Sequence, residues 1–279
     1  MQGFEQTELY ALAQAYVETS PLNRVTAAQA IHPGLVGLRL FDAPIWGVAS
    51  AQDPLFVRMR EPGIVGAHFW LPTDWAADAV SVLSFFMPFS EQVRRANAVD
   101  AVWPASEWLH GRIEGQAFIN SFCVYVRDAI VAGGGSACVP ALDARFWTRN
   151  EATAPESGYT SNWSERHVAH ISGLGTFGLS AGLITRKGLA GRFGSIITSL
   201  PLAPTQRPYQ AHDAYCTKCG ACARNCPAHA ISVAQGKNHA LCERFVSQTG
   251  TKYAPRYGCG KCQVSVPCEA GIPTRPAGA

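Results

Sequence analysis

Apolar and polar positions change rhythm several times along the chain, and each change marks an element. Over residues 1–20, Phe4, Leu9, Leu12 and Tyr16 recur at roughly helical spacing, which predicts an amphipathic helix. Two short apolar runs at 35–41 and 45–49 are split by Asp42 and Pro44, a pattern that predicts strand, turn and strand in a hairpin. Residues 79–86 are β-branched and aromatic enough for a buried strand. From Ser106 to Ala132, Leu109, Ile113, Ala117, Phe122, Tyr125 and Ala129 keep helical spacing until Gly133, Gly134 and Gly135 end the run. Ser164, with Glu165 behind it, predicts the start of a helix through Ile171, and 182–185 and 193–199 predict two further short strands. Pro201, Pro204 and Pro208 then read as a linker. The chain therefore divides into a body over 1–208 and a cysteine-rich module over 209–279, with no internal repeat in the body.

Composition narrows the class. Of 279 residues, 47% are hydrophobic and only 15% charged, which suits a sheet covered on both faces and so favours an α/β body. A net charge of +3 without any lysine- or arginine-rich run predicts neither nucleic acid nor an anionic membrane as partner. No apolar run approaches the roughly 18 residues of a membrane span, and the N-terminal helix has no basic leader ahead of a long apolar core, so a soluble, cytoplasmic protein is expected. In that compartment the crowding of eight of the ten cysteines between Cys216 and Cys268 reads as metal ligation rather than disulfides. Cys123 and Cys138 stand apart in apolar surroundings and read as small buried residues.

Cys216, Cys219, Cys222 and Cys226, followed by Pro227, reproduce the C-x2-C-x2-C-x3-C-P run of two-cluster ferredoxins. Two-residue gaps let three thiolates of one tight loop cap three corners of an iron–sulfur cube, while the fourth cysteine turns towards a second cube. On that logic Cys268 completes the first 4Fe-4S cluster, and Cys226, Cys242, Cys259 and Cys262 hold the second. Cys242 lies far ahead of Cys259, and five residues separate Cys262 from Cys268, so the second half departs from the symmetric ferredoxin spacing. The rival is a pair of zinc sites, for which the C-x2-C-x2-C triplet has one cysteine too many.

Gly173-Leu-Gly175-Thr-Phe-Gly178 matches a G-x-G-x-x-G fingerprint, but a helical pattern precedes it and no acid follows from 179 to 212, so NAD is not indicated. That acid-free stretch carries Arg186, Lys187, Arg192 and Arg207. A bulky anionic cofactor lying against glycine backbone and a plain turn packed on a sheet both remain open.

The succession Glu165-Arg-His-Val-Ala, the glycine loop 173–178, the segment GSIITSLPL at 194–202, the cysteine run and Tyr257-Gly-Cys-Gly-Lys-Cys262 resembles epoxyqueuosine reductase and the corrinoid reductive dehalogenases. The resemblance covers roughly 79–273, and the order of the segments is its most specific feature. It implies a nitroreductase-like corrinoid-binding domain followed by a two-cluster ferredoxin-like module, with two 4Fe-4S clusters feeding electrons to the cobalt of a cobalamin. The D-x-H-x-x-G motif that ligates cobalt elsewhere is absent, Val168 standing at its aspartate position before His170. By carry-over, Gly173, Gly175, Thr176, Phe177 and Gly178 line the corrinoid, and Gly194, Ser195 and Thr198 line its other edge.

Epoxyqueuosine reductase has a catalytic aspartate shortly before the equivalent of Glu165. An ungapped reading puts Tyr159 there, and Glu156 is the one acid nearby. Reductive dehalogenases use a tyrosine as proton donor, and a phenol of ordinary pKa near 10 is neutral at pH 7, so Tyr159 is the candidate acid, against the plainer reading of a loop aromatic that packs. His167 and His170 read as core or cap residues. The helical repeat domain that follows the clusters in epoxyqueuosine reductase has no counterpart in this sequence, so a small molecule rather than transfer RNA is the expected substrate. A ferredoxin or flavodoxin is the expected electron donor, and the pattern is compatible with a homodimer. Two rivals remain: an electron-transfer protein with clusters alone, and an iron–sulfur reductase with flavin in the α/β body.

Overall fold

The computed structural model describes residues 6–149 and 159–274. In chain order the principal elements are helix α1 (Gln6–Thr19), strands β1 (Ile45–Ser50) and β2 (Ser81–Pro88), helices α2 (Glu91–Val99) and α3 (Ser106–Ala132), strand β3 (Ala137–Cys138) and helix α4 (Glu165–Ile171). Strands β4 (Gly175–Phe177), β5 (Leu183–Thr185) and β6 (Gly191–Thr198) follow, and helix α5 (His239–Tyr253) lies among the cysteines. Residues 1–5, including Phe4, and the segment holding Glu156 lie outside the described residues.

The central sheet has the order β1-β2-β6-β3, and each neighbouring pair is antiparallel. The body is therefore a mixed α+β architecture, the antiparallel form of the α/β or α+β class expected. Strand β2 is buried along its whole length. Its Leu83, Phe85 and Met87 join the core beneath α1 and α3, while Val82 faces the other side with Phe56, Phe69, Trp75, Trp163 and Ile171. Alternate side chains of a strand point to opposite faces. A central strand covered on both faces reads as one apolar run whatever the direction of its neighbours, which is why composition did not distinguish the two sheet types.

Helix α3 spans the predicted residues and buries Phe118, Phe122, Val126 and Ile130, spaced by four, against the sheet. Each such aliphatic or aromatic side chain contributes about 1.5–3 kcal/mol through burial. At its end Gly133 N–H donates to Ala129 O, and Gly134 takes φ +87°.

The hairpin expected over 35–49 does not form. Pro33–Leu35 closes a 3-10 turn and Gly37 sits at φ +83°, a left-handed conformation that interrupts a strand. The segment keeps isolated bridges, Arg24 to Arg39 and Phe41 to Phe89, and β1 pairs instead with β2, Trp46 opposite Phe85.

Residues 201–209 have no regular structure. They run along the free edge of β1, where Thr205 N–H donates to Val48 O (2.9 Å) and Val48 N–H donates to Thr205 Oγ1 (3.0 Å). The Arg207 guanidinium pairs with Asp53 and donates to Ile171 O, so the proline-rich linker is tied to the body. Among the described residues no helix is long and apolar enough to cross a membrane.

Candidate functional site

The first cysteine loop is bent by Lys218 at φ 55° and Gly220 at φ +72°, left-handed residues on either side of Cys219. The short helix Ala221–Arg224 follows and carries Cys222, with Cys226 just beyond it. Cys216, Cys219, Cys222 and Cys268 together line one small hollow beside Gly178. Burial pushes the Cys222 thiol up to about 11 and the Cys268 thiol up to about 12; Cys222 also feels the charges of Cys262, Cys216 and Cys219, and Cys268 those of Cys222, Cys216 and Cys219.

Cys226, Cys242, Cys259 and Cys262 line a different and much larger cavity of about 670 Å³. Cys242 projects from the first turn of α5, capped by Asn238, whose Oδ1 accepts from Leu241 N–H at 3.0 Å. Cys259 and Cys262 lie in a loop held from behind. Gly258 N–H donates to Thr249 Oγ1 (3.1 Å), and a Cβ on Gly260 would stand 2.0 Å from the Trp108 ring. Ala230 N–H points at Cys226 Sγ (3.3 Å), the kind of contact that tunes a thiolate. Among the described residues no three His, Cys, Asp or Glu side chains converge on a single metal ion. A zinc site would bring its sulfurs to about 3.8 Å of one another from Zn–S bonds of ≈ 2.3 Å. A cube spreads its four ligands over four irons and holds them further apart.

The cavity lies between β6, α3 and the cysteine loops, with Phe89, Trp108, Leu183, Phe193 and Ile231 among its walls. Among the described residues Glu165 is the one acid lining it, and no histidine does. Both Glu165 carboxyl oxygens are buried without a hydrogen bond, as is Gln263 Oε1, which also faces the cavity. Burial pushes the Glu165 carboxyl up to about 7, with the Ser195 hydroxyl acting in the opposite sense. Pattern reading treats Glu165 as a companion to a helix cap. An acid opening a helix has many surface uses, and only the fold turns this one inward.

Tyr159 also lines the cavity, at its edge, with 55% of its surface exposed. Of the eight residues carried over for the corrinoid, Gly194 alone lines it. The others lie outside its lining. A Cβ on Gly175 would lie 2.0 Å from Ile184 O, so this glycine permits the tight pairing of β4 with β5. Gly173, at φ +83°, lets the chain turn out of α4 against Thr205. Thr176 Oγ1 accepts from Tyr215 N–H (2.9 Å) and Phe177 N–H donates to His212 O (2.7 Å), which fixes the turn leading into Cys216. Gly178 borders the small hollow. Ser195 Oγ accepts from Trp163 Nε1 (2.9 Å), and Thr198 Oγ1 donates to Ser136 O (2.7 Å) at the far end of β6. The glycine loop packs against Ile184 and Thr205 and is bonded to the segment ahead of Cys216.

Ser164 makes no backbone cap; its hydroxyl meets His167 Nδ1 at 2.7 Å. His170 Nδ1 meets Gly175 O at 2.8 Å and its ring stacks on Tyr209, so both histidines are structural. Cys123 is buried in the core, and Cys138 Sγ contacts Asp143 Oδ2 at 3.7 Å.

The sequence matches the 4Fe-4S binding domain model over residues 211–232, which hold Cys216, Cys219, Cys222 and Cys226. No curated protein matches it. A selenomethionine-labelled epoxyqueuosine reductase crystal structure is 19% identical, with 83% of this chain and 63% of that chain covered and a TM-score of 0.50. An epoxyqueuosine reductase bound to an epoxyqueuosine-modified tRNA-Tyr stem loop is 18% identical, with 83% and 63% covered and a TM-score of 0.50. A catabolic reductive dehalogenase is 14% identical, with 82% and 30% covered and a TM-score of 0.51. The chain thus spans less than two thirds of the length of these relatives. At such identities the likeness is one of fold: the chain is built like epoxyqueuosine reductases and reductive dehalogenases.

Proposed function

We propose that the chain is an iron–sulfur oxidoreductase carrying two 4Fe-4S clusters, the first held by Cys216, Cys219, Cys222 and Cys268 and the second by Cys226, Cys242, Cys259 and Cys262. The body over 1–208 presents a second redox group, a corrinoid, to a small-molecule substrate, and the module over 209–279 delivers electrons to it. The observation that carries the reading is that the second set of four cysteines forms one wall of the 670 Å³ cavity. A wire needs only the room its cluster fills, whereas this cavity continues past the cysteines to Val139, Leu142 and Phe146, which suits ligand chemistry beside a one-electron donor.

The lining fits a large ring fringed with amides. Its walls are largely aromatic and aliphatic, Gln116, Asn120 and Gln263 supply neutral amide partners, and Gln263 Oε1 is orphaned. When bound, a corrinoid supplies a strongly reducing cobalt. This chain's own residues do the rest. Cys219 is exposed, which makes the first set of cysteines the entry side for a ferredoxin or flavodoxin in the cytoplasm. Apolar walls exclude water from the space facing the second set.

Glu165 and Tyr159 hold protons at that space. A carboxyl titrating near 7 is divided between its two forms at neutral pH, the condition under which a group both gives and recovers a proton efficiently. The buried carboxyl of Glu165 supports its role as the enclosed acid, and the exposure of Tyr159 supports a role at the mouth.

Protein reconstituted without oxygen should contain about eight irons per chain, take up cobalamin at micromolar concentration and show cobalt spectral changes on reduction. Cluster absorption with no corrinoid uptake would leave an electron-transfer protein, and released flavin fluorescence would assign a flavin instead. The tRNA stem loop bound by one structural neighbour is the competing substrate class. A gel shift with that stem loop separates it from a small molecule.

A further inference from the structure

We propose that the wall of the cavity formed by β6 and α3 is an anion site, where Arg192, backed by Arg112, receives a carboxylate or phosphate of the bound ligand. The inference rests on reading the cavity as a ligand site and adds the charge of what enters it.

Among the described residues five cations line the cavity, Arg112, Arg166, Arg192, Lys237 and Lys261, and one acid, Glu165. Three of them have their anions in the cysteines. Arg166 feels Cys262 and Cys242, Lys237 acts on Cys262, and Lys261 feels Cys259. The charges that Arg192 feels are those of Arg112, Tyr257 and Tyr159, with no thiol and no carboxylate among them. Among the described residues neither Arg192 nor Arg112 has an acidic partner.

The neutral contacts of Arg192 orient it without satisfying it. Nη1 donates to Gln116 Oε1 (3.1 Å) and Nη2 donates to Arg112 O (2.8 Å), which leaves further N–H groups of the five-donor fork free. Arg112 is itself held in place, its guanidinium 4.7 Å from the Tyr257 ring centre and its Nη2 donating to Tyr257 Oη at 3.0 Å. Two like charges brought together and withdrawn from water without a counterion are costly. Arginine stays protonated in proteins, so a cation so placed is relieved by an incoming anion, and its planar fork pairs with two oxygens at once. A purely structural arginine would be expected to spread its donors over carbonyls or meet a carboxylate.

The anion can belong to the substrate or to the phosphate of a corrinoid's nucleotide tail, and the test separates them. Iron-loaded full-length protein is titrated by calorimetry with inorganic phosphate and with benzoate, and separately with cobalamin and with cobinamide, which lacks that phosphate. Arg192→Gln should weaken phosphate or benzoate at least about tenfold, the loss of one charge-assisted contact, and Arg192→Lys should restore part of it. Loss of probe binding with cobalamin uptake unchanged assigns the anion to the substrate. Loss of any preference for cobalamin over cobinamide assigns it to the cofactor. Absence of binding by either probe, or equal binding in Arg192→Gln of unchanged iron content, overturns the proposal. Failure of wild-type protein to take up either corrinoid would refute the cofactor reading alone, because the phosphate and benzoate titrations stand without it. If Arg192→Gln does not fold, Arg192→Lys must still weaken phosphate severalfold, since it keeps the charge and loses the fork.

Discussion

The Lys261 ammonium donates to the backbone carbonyl of Asn97 at 2.6 Å, and the Asn97 amide returns a bond to Cys259 O at 3.0 Å, so α2 grips the second cysteine loop by a reciprocal pair of contacts. Asn97 is fully buried, and its Oδ1 also accepts from Ala105 N–H at 3.1 Å. Asn97→Ala therefore strands several buried polar groups at once. The denaturation midpoint should fall by an amount equivalent to about 1–3 kcal/mol, and the iron bound through Cys259 should become more labile to chelators. An unchanged midpoint would show that the loop holds itself.

The two sets of cysteines make separable predictions. Cys242→Ser and Cys259→Ser should reduce iron from about eight to about four per chain and quench the signal of the centre beside the cavity. Cys138→Ser should leave iron unchanged, because this thiol bonds to Asp143 and lines neither of the hollows that hold the eight clustered cysteines. Equal loss in all three variants would mean that the fold, and not the ligand set, was being read.

Glu165 gives a pH signature. Its carboxyl titrates at about 7 in the folded chain against 4.5 as its ordinary value. Between those values the folded state binds the proton that the unfolded chain has released, so stability falls as pH rises from below 4.5 through about 7. Glu165→Gln should flatten that segment of the stability profile and match or exceed the parent above pH 7. A parallel profile in the variant would place the titration elsewhere. In turnover, the same substitution should remove the limb of the pH–rate profile near 7, while Tyr159→Phe should leave that limb in place.

Gly175→Ala tests whether the glycine loop is structural. The added methyl would stand 2.0 Å from Ile184 O, backbone that cannot step aside cheaply. A loss of about 2–4 kcal/mol, measured on protein free of any second cofactor, is the expected result. A variant of parental stability that fails only in corrinoid uptake would return the loop to the cofactor.

Local pattern sufficed wherever chemistry or periodicity is written in consecutive residues. The spacing of Cys216 to Cys226 names a cluster loop, the helical spacing from Leu109 to Ala129 gives α3 although the face it buries is that of Phe118, Phe122, Val126 and Ile130, and the apolar run within β2 makes a buried strand. It was insufficient where meaning depends on what lies opposite. Residues 35–41 look like half a hairpin, yet β1 found its partner in β2, some forty residues on. Gly173 to Gly178 look like a cofactor cradle, yet Ile184 and Thr205 occupy the space that their missing side chains leave.

What the amino-acid order determined alone is the presence of an iron–sulfur cluster loop and the elements of the body, because helices, strands and C-x2-C turns are set by short-range geometry. Tertiary structure decided which charges and protons face the cavity. Glu165 and Arg192 are ordinary residues in the chain, and only the packing of α4 and β6 against α3 removes them from water and so changes what they can do.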